Sequence, residues 1–139
     1  MCMVNFDNSE QLNKCAKEWI EVLGLSDWCV TCVLAECESD DSGDLELGHN
    51  DYDFCNKTSV ITIYKTPKSD FFNVFQEETL IHELLHCKFP IEYVEGDYYS
   101  KRCADLQHQV LNDMARALFM TKYGWSMRDY KKQVIKRRK

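Results

Sequence analysis

Thr79-Leu80-Ile81-His82-Glu83-Leu84-Leu85-His86 decides how this chain is read, because it sets H-E-x-x-H inside an apolar run flanked by good helix formers. At about 3.6 residues per turn, His82 and His86 lie one above the other and can turn two imidazoles toward one metal ion. Glu83 falls beside them. A carboxylate there can take a proton from a metal-activated water, so the spacing reads as zinc plus a general base. With four His and eleven Glu in 139 residues, chance would produce the pattern in about one such sequence in a hundred. The bland alternative is a helix carrying two ordinary, partly buried histidines.

A catalytic zinc commonly has three protein ligands and one position left for water or substrate. His108 is the leading third donor, since it lies 22 residues after His86 in a helix that must pack back against the first. Glu92, Glu95 and Asp105 are chemically able to serve. The two glutamates sit in a connection where positioning is loose, and Asp105, one turn before His108, suits orienting a ligand from behind. His49, alone in a polar loop, reads as solvated and is left out of the metal shell.

Outward from the motif, Ser69 or Asp70 can cap a helix through Phe72, Phe75, Leu80, Ile81, Leu84 and Leu85 to about Phe89, before Pro90. Residues 8 to 23 form an amphipathic helix capped by Asn8 or Ser9, with Leu12, Cys15, Ala16, Trp19, Ile20 and Leu23 inward, and Gly24 ends it. A first strand is expected over Trp28 to Cys37, a short second one over Leu45 to His49, and the clearest over 58 to 64, Thr-Ser-Val-Ile-Thr-Ile-Tyr. The last long helix runs from about Tyr98 to Lys122, with Cys103, Leu106, Val110, Leu111, Met114, Ala117 and Leu118 on its apolar side and Gly124 closing it. The expected class is α+β: a small, mostly antiparallel sheet of about three strands, packed on the motif helix and the ligand-bearing helix, with an N-terminal helix.

The length suits one domain, taken as residues 1–124, followed by a basic segment, 125–139. Residues 122–139 carry eight Lys or Arg against Asp129, a net of +7, whereas the first 121 carry nine basic and 22 acidic residues, a net of −13. An acidic body repels nucleic acid, so the basic end alone would have to bind it; the plainer reading is a solvated tail, with a weakly signalled short helix through Met127, Tyr130 and Val134. No apolar run approaches the roughly twenty residues of a membrane span, and the start lacks the pattern of an export signal, so a soluble, cytoplasmic protein is expected. Eight cysteines are scattered through apolar-patterned segments and read as mostly free and buried. Cys29 and Cys32 have the spacing of half a zinc site, but three positions apart on a strand they face opposite sides.

With His108 placed, the order of elements resembles the zincin metallopeptidases over most of the chain, and among them the ImmA/IrrE-type and SprT-like proteins of bacteria and phages. The ligand helix of the first group carries a glutamate followed by Ala-Asn, Ala and paired apolar residues; here Asn112, Ala115 and Leu118 keep comparable spacing, with His108 where the glutamate would stand. A histidine third ligand is more like the SprT-like group, which is linked to DNA-associated proteolysis. The resemblance implies peptide-bond hydrolysis with His82, His86 and His108 on zinc and Glu83 as base. It also implies an extended protein or peptide substrate along the edge strand before the motif helix, taken as 58–64, and oxyanion support from Tyr93, Tyr98 or Tyr99. The rivals are a catalytically silent, metal-binding regulator and a nucleic-acid-associated module using the basic end.

Overall fold

In the computed structural model, which describes residues 5–36, 47–65 and 75–138, the elements follow the order α1 (Ser9–Val22), β1 (Cys29–Ala35), β2 (Gly48–Asp53), β3 (Thr58–Tyr64), α2 (Gln76–Leu85), α3 (Tyr98–Tyr123) and α4 (Met127–Arg138). The class is α+β, with four helices and a three-stranded sheet among the described residues. No helix among them is long and apolar enough to cross a membrane.

The helices begin and end where local chemistry dictates. The Asn8 side chain accepts from the Gln11 amide at 2.9 Å, capping α1. Asp97 accepts from the Tyr99 and Ser100 amides at the start of α3, and Gly124, at φ 66°, takes the left-handed turn that stops it. The α-helical part of α2 ends at Leu85, and the chain reaches Phe89 through tighter turns, with Cys87 and Lys88 amides donating to Leu84 and Leu85 carbonyls at 3.0 Å. The expected caps Ser69 and Asp70, with Phe72, lie outside the described residues.

The sheet differs from expectation in two respects. Its order is β1-β3-β2, with β1 parallel and β2 antiparallel to β3, so it is mixed rather than mostly antiparallel. Strand 58–64 is therefore central, paired on both sides, and has no edge to offer a substrate; the edge beside α2 belongs to β2. β2 also lies further along the chain than expected, at Gly48–Asp53, where only Gly48 and His49 overlap the predicted strand; Leu45 and Glu46 lie outside the described residues. Its sequence, Gly-His-Asn-Asp-Tyr-Asp, has no apolar alternation to detect. The register comes instead from the 54–57 turn, in which Asp53 accepts from the Asn56 amide and Lys57 sits at φ 54°.

The core is built between α1, the inner face of the sheet and α2. Leu12, Ile61, Ile63, Leu80, Ile81 and Leu84 are wholly buried there. Helix α3 turns inward Ala104, Leu111, Ala115 and Phe119, not Leu106 and Val110, which are 52% and 56% exposed. The face that wins bears His108 and two alanines, which let the backbone of α3 come close to α2.

The basic end is also more than a solvated tail. Ser126 and Asp129 cap α4 reciprocally, the Ser126 amide donating to Asp129 at 2.9 Å and the Asp129 amide to the Ser126 hydroxyl at 3.2 Å. Tyr130 is 6% exposed and packs, with Trp125, on Phe75 and Phe119. Of the six described cysteines, all free, Cys15, Cys32 and Cys87 are buried, but Cys29, Cys55 and Cys103 are exposed; burial is half the case rather than the rule, and Cys29 and Cys32 do face opposite sides.

Candidate metal centre

Three histidines from two helices meet at one point. The Nε2 atoms of His82 and His86 are 3.1 Å apart, and one donor nitrogen each from His82, His86 and His108 lie within 4.8 Å of one another. The i, i+4 spacing aligns the first pair, since His86, at φ −62° and ψ −24°, is still helical where α2 ends. His108 arrives from α3, its ring 5.1 Å from that of His86 and 6.0 Å from that of His82.

Hydrogen bonding sets the tautomer of His108. Its Nδ1 is 3.0 Å from the Ala104 carbonyl, which can only accept, so Nδ1 carries a proton and Nε2 is the nitrogen that can serve as a metal donor. Burial pushes both His82 and His86 down to about 4, and neighbouring imidazoles add to the effect. Both are neutral at physiological pH and offer lone pairs. Asn112 faces His82 closely enough to favour its charged form, yet no hydrogen bond reaches the buried His82 Nδ1.

The donor set suits a tetrahedral divalent ion. Two nitrogens 3.1 Å apart, each about 2.05 Å from an ion, subtend about 100° at it. The full set, with its 4.8 Å limit, is wider than the roughly 3.3 Å of a filled tetrahedral site, so binding draws the rings together. The group can therefore hold a metal ion.

Comparison of the chain with protein-family models, curated proteins and solved structures gives no match. The geometry stands by itself. Glu83 is 7% exposed, with Oε1 4.0 Å from His82 Nε2, and it lines a cleft of about 400 Å³ with Gly48, Glu78, His82, Asn112 and Arg116. Glu92, Glu95 and Asp105 are exposed and outside the cluster, and so is His49, which bonds Asp51 at 3.0 Å. Tyr93, Tyr98 and Tyr99 are 54%, 70% and 78% exposed, and none of them lines the cleft.

Sequence reasoning missed the residues that fix Glu83. Asn50 donates to the Glu83 carbonyl at 2.6 Å, satisfying an acceptor in the last turn of α2, and Ser59 donates to Asn50 at 2.5 Å. Gly48 brings β2 against the same side chain: a Cβ there would stand 2.8 Å from Thr79 Cγ2 and 3.2 Å from Glu83 Cγ. An isolated glycine in a strand signals such an approach; nothing in the sequence pointed to Asn50.

Proposed function

We propose that the protein is a zincin-type, zinc-dependent metallopeptidase that hydrolyses peptide bonds with Glu83 as general base. The observation that carries this is the convergence of His82, His86 and His108, with the Glu83 carboxylate beside His82 and lining a cleft with it. When bound, zinc polarises the scissile carbonyl and acidifies the attacking water. Glu83 takes that water's proton and delivers it to the leaving amine. Asn50 and Gly48 keep Glu83 facing the cleft, through its carbonyl and through the tight approach of β2. The outer edge of β2, not 58–64, is the strand to which an extended substrate adds main-chain hydrogen bonds.

Zinc-loaded protein should cleave an unstructured substrate such as casein, and Glu83→Gln should keep zinc by elemental analysis while losing cleavage. A variant that lost the metal instead would make Glu83 a ligand and overturn this division of roles. A second reading has its own observation: Arg128, Lys131, Lys132 and Lys136 are exposed along α4. They support nucleic-acid association, which would show as salt-dependent binding lost when those four are changed to Gln with Trp125 and Tyr130 kept.

A further inference from the structure

The cleft that His82 and Glu83 line also holds a cation fixed by two partners. Arg116 lines the cleft with its side chain 40% exposed, and its Nε donates to Glu78 Oε1 at 2.9 Å. Glu78 is itself 4% exposed, and its other oxygen accepts from the Tyr130 hydroxyl at 2.6 Å. The guanidinium carbon lies 5.0 Å from the centre of the Tyr130 ring. One side of the guanidinium is thus gripped and one face is covered. An arginine has five N–H donors. Glu78 uses one and the Tyr130 hydroxyl can take at most one more, so at least three remain.

The placement gives these donors a target. Glu78 is one helical turn before His82, and Arg116 one turn after Asn112, which faces His82, so along the helices the pair stands about 6 Å from His82 and about 12 Å from His86 and His108. An extended chain advances about 3.3 Å per residue, so the span corresponds to about two to four residues. A planar, pre-oriented guanidinium favours a carboxylate over a neutral amide, because it offers paired, charge-assisted hydrogen bonds. Simple compensation of buried Glu78 would need only a positive charge.

We propose that Arg116, held by Glu78 and Tyr130, receives a carboxylate of the substrate about two to four residues from the bond that is cleaved. The proposal rests on the peptidase reading for what is bound, but not on hydrolysis for its test. The carboxylate can be a chain terminus or an acidic side chain, and matched probes separate the two. Zinc-loaded Glu83→Gln protein would be titrated with N-acetylated, alanine-rich hexapeptides ending in a free carboxylate or an amide, and with amidated versions carrying one Glu or Gln at each position.

We expect at least one carboxylate peptide to bind about tenfold or more tightly than its neutral partner, as charged hydrogen bonds typically provide. Preference confined to the free terminus identifies a chain end; preference for a Glu at one position identifies a side chain. Arg116→Lys keeps a positive charge beside Glu78 but loses the planar fork, and should bring the ratio of acidic to neutral affinity to within about twofold. Glu78→Gln, which retains Arg116 and loosens it, should fall between. Equal binding of every acidic and neutral pair, or a preference that survives Arg116→Lys intact, overturns the proposal. Cleavage by wild type with no such preference would sink the carboxylate site alone; preference without any cleavage would sink the peptidase reading alone.

Discussion

Helix α2 carries two buried polar groups of opposite design. At its N-terminal end Glu77, wholly buried, accepts from Trp19 Nε1 at 2.9 Å and Cys15 Sγ at 3.3 Å, and from Lys122 and the Tyr123 hydroxyl. Carboxylates there also face the positive end of the helix dipole. At the C-terminal end three imidazoles crowd together, with the Nε2 atoms of His82 and His86 3.1 Å apart. The first cluster is complete within the chain and ties α1 and α3 to α2. The second is left open, with like donors turned toward one point, the arrangement that a cation would complete.

Disabling the open cluster should leave the fold and remove the chemistry. Glu83→Gln should lower hydrolysis by about 10²- to 10⁴-fold, the usual range for a general base, with unchanged unfolding by urea. His108→Ala should weaken zinc by more than the roughly 10- to 100-fold typical of losing a supporting residue, as read by competition with a chelator. Unchanged affinity would remove His108 from the ligand set. Its metal-free form should be no less stable than the wild type, because an unfilled cluster contributes little to folding.

Disturbing the complete cluster should do the reverse. Lys122→Ala strips a cation from buried Glu77 and should cost about 1–3 kcal/mol in urea unfolding, at or below the low end for a broken buried pair, since Lys122 is itself partly exposed and three other donors remain. A loss below about 1 kcal/mol would show that those donors suffice. Gly48→Ala lies between the two designs: the new methyl should cost about 1–3 kcal/mol through crowding, and activity should fall further than stability because Glu83 is one of the groups displaced.

The smallest effect is at alkaline pH. Burial raises the Cys32 thiol from 9.0 to about 12, and burial, with Glu77 and Glu78 beside them, raises Cys15 and Tyr130 as well. The unfolded chain releases these protons first. Stability is therefore fully present below about pH 9 and falls as pH rises toward the folded values. Urea midpoints between pH 8 and 10.5 should decline, and Cys32→Ser should flatten the slope. A flat profile in the wild type would show that the thiols ionise without unfolding.

Much of the architecture was legible because its signals are local. Asn8, Gly24 and the spacing of Leu12, Cys15, Ala16 and Trp19 mark α1, and the alternation of 58–64 marks β3. His108 was reachable from chemistry, since a third donor was needed and α3 was predicted to pack on α2. Where reading failed, packing chose between equal alternatives. Helix α3 has apolar residues on two faces, and the demand for close approach to α2 selected Ala104 and Ala115 over Leu106 and Val110.

The sequence by itself determined the motif helix, its two histidines and the carboxylate between them, because a four-residue spacing on a helix needs no tertiary information. Only the tertiary structure decided that β3 is central and β2 the edge, that Gly48 and Asn50 bear on Glu83, and that Tyr130 of the basic end packs beneath Arg116. Those contacts join residues far apart in the chain, 33 positions for Asn50 and Glu83. They follow from which faces exclude water together, and no local pattern records that choice.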